Sequence, residues 1–252
     1  MRETILRELQ DMERSCGVRV LYSVESGSRA WGMASDDSDY DVRFVYVRPL
    51  EDYLRLEKLK DTIEWKLDEV LDITGWDATK FLQLMRASNP TAFEWVSSPI
   101  VYREEPEFAS IRSVAGGCFS PVASAFHYQG IARENMKLVA GKPNANVKKY
   151  LYAIRAVLAS RWVLDEKTPA PMLFSDLIAS KLEAELVQTV DQLLAAKATG
   201  DENCEIAAMP ELEAWIEHEV ETLASRARNT EPPERLAWPV LDDIFRSIVM
   251  GA

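Results

Sequence analysis

The hydrophobic period changes once along this 252-residue chain, and that change limits the fold more than any other feature. Up to residue 104, short stretches with apolar residues at every second position alternate with helical ones. Val18 to Val24, Tyr40 to Val47, Thr62 to Leu67 and Val70 to Thr74 read as strands, the last two forming a hairpin around Asp68-Glu69. Pro99 to Tyr102 adds one more short strand. Residues 4–15 set Ile5, Leu6, Leu9 and Met12 at helical spacing. Asp77 stands where a helix N-cap belongs, ahead of Phe81, Leu82, Leu84 and Met85, and Asn89-Pro90 closes that helix and opens the next. Beyond about residue 106 the pattern is helical almost throughout, with long segments at 119–140, 146–165, 176–198, 210–228 and 237–249. The expected fold is α+β: a small mixed β-sheet core with helices over 1–104, then an all-helical unit over 105–252, with a ligand cleft between them.

Charge and composition remove several function classes. A net charge of −12 argues against tight, non-specific nucleic-acid binding, which needs a basic face. The charge is uneven, however. From Arg133 to Arg161 there are seven basic residues and one acid, Glu134, which gives either a solvated helix face or a cationic wall for phosphates. Cys16, Cys118 and Cys204 are far apart, and the histidines are His127 and His218, so no zinc site is expected and reduced cytosolic thiols are the simple reading. No apolar run approaches the roughly 20 residues of a membrane span, and the acidic, amphipathic N-terminus is unlike a signal peptide; a cytoplasmic protein with no membrane partner is expected. Five of the seven tryptophans, Trp31, Trp65, Trp76, Trp95 and Trp162, read as core anchors, and His127 as a packed or capping histidine.

The chemistry-bearing segment is Gly27-Ser28-Arg29-Ala30-Trp31-Gly32, then six residues, then Asp39-Tyr40-Asp41. Side chains at i and i+2 of a strand share a face, so Asp39 and Asp41 present two carboxylates together, with Tyr40 and Val42 opposite. Adjacent carboxylates repel unless a cation lies between them, and hard oxygen ligands suit Mg²⁺ or Mn²⁺. An EF-hand starting at Asp37 is excluded, since its sixth and twelfth positions hold Val42 and Arg48 instead of Gly and Glu. A glycosyltransferase D-x-D site would need a longer nucleotide-binding unit ahead of it. A solvated acidic turn does not explain why the acids run into the apolar strand Val42 to Val47. Gly27 and Ser28 supply a turn whose N–H groups and hydroxyl suit a phosphate.

At these residues the chain resembles the DNA polymerase β-like nucleotidyltransferase superfamily, and within it the predicted nucleotidyltransferases linked with RNA repair. The closer likeness lies in Gly27 to Gly32, Ser38-Asp39-Tyr40-Asp41-Val42-Arg43, Asp72-Ile73-Thr74-Gly75-Trp76-Asp77, Ser88-Asn89-Pro90 through Tyr102, and Lys149-Tyr150-Leu151-Tyr152-Ala153-Ile154-Arg155. It spans about 20–165, beyond which only a helical tail is legible.

The resemblance implies metal-dependent transfer of a nucleoside monophosphate from an NTP to an acceptor hydroxyl. It also implies a third carboxylate on a later strand. Asp72 is the choice, Glu64 the rival, and Asp77 is assigned to capping. Asp39, Asp41 and Asp72 would be both the catalytic and the metal-binding acids, while Gly27 and Ser28 would hold the β- and γ-phosphates. Arg29 and Arg43 either neutralise phosphate charge or form surface ion pairs. Lys149, Tyr152 and Arg155, at i, i+3 and i+6, would bring cations and a stacking ring from the helical half. The acceptor stays open between an RNA or tRNA end, a protein hydroxyl and a small molecule. The rival class is a nucleotide-binding module without catalysis.

Overall fold

The computed structural model describes residues 1–35, 37–199 and 204–251. It is a mixed α+β fold with a five-stranded sheet and a helical C-terminal half. Helix α1 (Arg2–Cys16) precedes β1 (Arg19–Glu25), the one-turn α2 (Gly27–Ala30) and β2 (Tyr40–Val47). After the short α3 (Leu50–Tyr53) come β3 (Thr62–Leu67), β4 (Leu71–Asp77), α4 (Ala78–Arg86), α5 (Pro90–Ser97) and β5 (Val101–Glu104). The strand order is β3-β4-β2-β1-β5, with β2 and β4 parallel and the other pairs antiparallel.

The two faces of this sheet have different partners, and strand alternation decides which residue meets which. Val42, Phe44 and Tyr46 of β2, with Leu71 and Ile73 of β4, pack against Ile5, Leu9 and Met12 of α1. Val45 and Val47 turn the other way, into the large core shared with the helices. Asp41 and Arg43 are on that second face by the same alternation, as are Asp72 and Thr74 of β4.

The helical half comprises α6 (Phe108–Cys118), α7 (Pro121–Lys137), α8 (Val147–Glu166), α9 (Phe174–Lys181), α10 (Ala184–Thr199), α11 (Pro210–Arg228) and α12 (Trp238–Met250). A three-residue strand pair, β6 (Asn144–Asn146) with β7 (Glu205–Ala207), ties the start of α8 to the α10–α11 connection. The strand-rich half contributes Tyr22, stacked on Phe108 at 4.0 Å, and Trp76, stacked on Trp95 at 4.0 Å. Of the five expected core tryptophans, Trp95 is buried and the other four are half-buried. His127 is exposed on α7, neither packed nor capping.

Local signals set the helix starts. Asp77 Oδ1 accepts from Thr79 N at 2.9 Å and caps α4; Asn89, Ser120 and Asn146 cap α5, α7 and α8 in the same way. The expected single helix over 176–198 is instead α9 and α10, broken at an extended Leu182 (ψ 140). Arg161 holds the break: its guanidinium donates to Lys181 O and pairs with Glu183 at 2.8 Å and with Glu219. Among the described residues no helix is long and apolar enough to cross a membrane.

Candidate active site

Strand β1 ends at Glu25, and Gly27 then turns with φ +57, a region that favours glycine. A side chain there is excluded twice, because a Cβ on Gly27 would stand 1.9 Å from Asp41 Oδ2. The turn and β2 are joined by Ser26 N to Asp41 O at 2.8 Å and by Asp41 N to Glu25 Oε1 at 2.8 Å. Glu25 is buried and also accepts a short hydrogen bond from Tyr102 Oη. Burial pushes the carboxyls of Glu25 and Asp41 above the usual carboxylate range. For Asp41 the negative charges of Asp39 and Asp72 push the same way, against the opposing pull of Arg43 and Lys148.

Parallel pairing sets Asp41 directly beside Asp72. Arg43 lies between them: Nη2 donates to Asp41 Oδ1 at 2.7 Å and to Asp72 Oδ2 at 2.7 Å, and Nη1 donates to Asp72 O at 3.0 Å. Thr74 Oγ1 donates to the remaining oxygen of Asp72 at 3.1 Å. Glu64 is one strand further out, opposite Thr74 on the edge strand β3, and is exposed. Asp39 sits in the approach to β2. Arg29 shapes that approach, donating to Asp39 O at 3.0 Å and Ser38 O at 2.6 Å while its guanidinium covers the Tyr40 ring at 3.8 Å. It is folded onto its own loop and, among the described residues, neither lines the cavity nor pairs with a surface acid.

A cavity of about 410 Å³ opens over these groups. Gly27, Ser28, Asp39, Asp41 and Arg43 form its sheet wall. The opposite wall is helical, from Pro90, Thr91 and Glu94 on α5, Tyr128 and Ile131 on α7, and Lys148, Tyr152 and Arg155 on α8. Trp31 joins the two walls, with Tyr152 edge-on at 5.3 Å and Arg155 stacked at 4.1 Å. Arg155 is buried and donates to Glu94 Oε1 at 2.8 Å.

Lys149 is not part of the lining; Lys148 takes that position. Helix geometry gives the reason. At about 100° per residue, positions 148, 152 and 155 lie within about 60° of one another, whereas 149 and 155 are about 120° apart. Of the basic run, Lys137 pairs with Glu134, Arg155 with Glu94 and Arg161 with Glu183 and Glu219, so it forms no continuous cationic wall. Sequence reasoning missed Glu94, whose signal is an acid between two aromatics, Phe93 and Trp95. It also missed the wall role of Trp31.

The donors at the sheet wall, hard carboxylate oxygens in adjacent strands, fit a divalent cation in kind. Among the described residues no three acids, histidines or cysteines are gathered for one. The positive charge between Asp41 and Asp72 is Arg43.

Comparison with known proteins extends the picture along the chain. A family model described as the RNA repair pathway DNA polymerase beta family (RlaP) matches residues 1–247, well past the stretch whose likeness is legible by eye. An uncharacterized protein of Bacillus subtilis (strain 168), YcgL, is 39% identical over 237 residues, covering 93% of this chain and 91% of its own length.

Proposed function

The chain belongs to the RNA repair pathway DNA polymerase beta family, and from that membership and the site geometry we propose that it transfers a nucleoside monophosphate from an NTP to an acceptor hydroxyl. The family supports a nucleotidyltransferase-type role. The observation that carries the finer reading is Asp41, which lines the cavity beside the Gly27-Ser28 turn and is paired in register with Asp72 on the neighbouring strand.

In this reading Asp39, Asp41 and Asp72 would hold Mg²⁺ or Mn²⁺, which would supply positive charge at the α-phosphoryl group and lower the pKa of the attacking hydroxyl. Ser28 and the Gly27 turn bind the β- and γ-phosphates, and Lys148 adds positive charge from the helical wall. Tyr152 offers its ring to the base, steadied by the edge-on contact with Trp31. Arg43, now paired with two of these carboxylates, would be freed by metal binding, and its guanidinium would then be available to phosphate oxygens. Arg29 has a positioning role: it fixes the carbonyls on either side of the Ser38-Asp39 bond and so sets where the Asp39 carboxylate stands. The sheet-bearing half 1–104 carries the transfer chemistry, and both halves contact the nucleotide.

An RNA end is the acceptor we favour. The family description supports it, and so does the charge: an acidic protein whose basic residues are largely paired suits a small footprint at a terminus rather than a long duplex contact. The second reading, a nucleotide-binding module without turnover, draws on the Arg43 bridge across Asp41 and Asp72. One experiment separates the two. The protein is incubated with each α-³²P-labelled NTP, with Mg²⁺ or Mn²⁺, and with separate pools of tRNA, protein and small metabolites. Label transfer that disappears in Asp41→Asn supports the transferase; nucleotide binding with no transfer to any pool supports the binding module.

A further inference from the structure

At the helical end of the cavity the buried polar groups do not close on one another. Glu94 is 8% exposed. Its Oε1 accepts from Arg155 Nη1 at 2.8 Å and from Tyr128 Oη at 3.3 Å. Its Oε2 accepts from no described residue, yet it is not sealed away from the cavity. Arg155 Nε and Trp31 Nε1, on two other residues of the lining, are also without partners among the described residues but, unlike Oε2, are sealed from the cavity. An arginine and a carboxylate usually meet as a two-pronged fork that uses both oxygens. Here one prong is made and the other oxygen is kept back. Buried polar groups are nearly always satisfied, so an open carboxylate oxygen in the cavity lining points to a ligand that completes it.

The surroundings narrow the ligand. Pro90, Ile131, Tyr152 and Ala156 bring flat or aliphatic surfaces to the same cavity. A planar ring with a hydrogen-bond donor on its edge fits between such surfaces and the carboxylate. We propose that Glu94 Oε2 accepts a hydrogen bond from the exocyclic amino group of the incoming nucleotide's base, making Glu94 the specificity-determining residue of the site. Adenine and cytosine present that amino group beside a ring nitrogen that can accept in turn. Uracil and hypoxanthine carry a carbonyl oxygen in place of that amino group, and a carboxylate repels it. The inference rests on the nucleotidyltransferase reading of the same cavity.

The test measures nucleotide affinity by calorimetry on the full chain with Mg²⁺ and no acceptor. ATP is compared with purine riboside triphosphate, which lacks only the amino group, and CTP with UTP. Loss of one hydrogen bond to a charged acceptor should weaken binding about ten- to a hundredfold in each pair. Glu94→Gln keeps a carbonyl for Arg155 and turns the open oxygen into a donor, so the preference should vanish or reverse toward UTP. Thermal melting checks that this variant folds; should it not, the wild-type pairs decide alone. Equal affinities within both pairs overturn the Glu94 contact and leave nucleotide binding standing. A preference that arises only when an RNA with an amino-bearing terminal base is added overturns it in favour of the acceptor. Failure of every NTP to bind overturns both this inference and the transferase reading.

Discussion

Two arginines hold carboxylates at opposite walls of the cavity, and they do so under different conditions. On the sheet wall the Arg43 side chain is 18% exposed, and Asp41 and Asp72 are 22% and 23% exposed. On the helical wall the side chains of Arg155 and Glu94 are 5% and 10% exposed. Arg155 is further fixed by the Trp31 ring. A partly solvated ion pair gains little and rearranges at little cost. A desolvated one is costly to break, because each partner is left as an unpaired buried charge. The cavity therefore has one wall whose cation can be exchanged and one whose cation is part of the frame. That asymmetry suits the proposed function, in which one side takes a metal and the other holds a base in register.

The comparison can be broken at several points. The largest effect expected is in Asp41→Asn, which should lower kcat by on the order of 10³, the size seen when a charge-stabilising group leaves an active site. Its melting temperature should stay near wild type; turnover near wild type would move the chemistry elsewhere. Next, Arg155→Ala should destabilise the protein by about 3–5 kcal/mol, read in urea melts. The double change Glu94→Leu with Arg155→Met should recover much of that loss, since it removes both buried charges together. Recovery failing would mean the pair supplies more than charge balance. Arg43→Ala should cost only about 1 kcal/mol in EDTA. Its melting temperature should then rise more with added Mg²⁺ than that of wild type; an equal response would show that metal and Arg43 do not share a place. The smallest effects separate two neighbours: Lys148→Ala should weaken NTP binding and flatten its salt dependence, while Lys149→Ala should stay within about twofold.

Much of this was legible because it is local. A Pro or Asn at a helix start and a period of two in Tyr40 to Val47 act within a few residues, and the structure follows them. The same alternation brings Asp41 and Asp72 to the face turned toward the helices. What could not be read depends on contacts between distant segments. Arg161 breaks a helix-compatible stretch by reaching Lys181 and Glu183, with no mark at Leu182 itself. Lys149 and Lys148 differ by a rotation of about 100°, which composition cannot resolve without knowing which helix face is buried. Arg29 lies between a phosphate-binding turn and an acidic loop in sequence, and only the folded loop shows that it serves the second. Glu94 looked like one more polar position in a short helix until its partner Arg155, on another helix, was in view.

The bridge made by Arg43 has a thermodynamic consequence. It is a competitor attached to the same strand as one of the carboxylates it occupies, so it never dilutes away. For any cation that enters between Asp41 and Asp72, the apparent dissociation constant is the intrinsic one divided by the fraction of molecules in which Arg43 has let go. If that fraction is about one in a hundred, the cation binds about a hundredfold more weakly than the bare carboxylates would allow. The strand then carries, two residues from its own acid, the set point for the metal concentration at which the site fills.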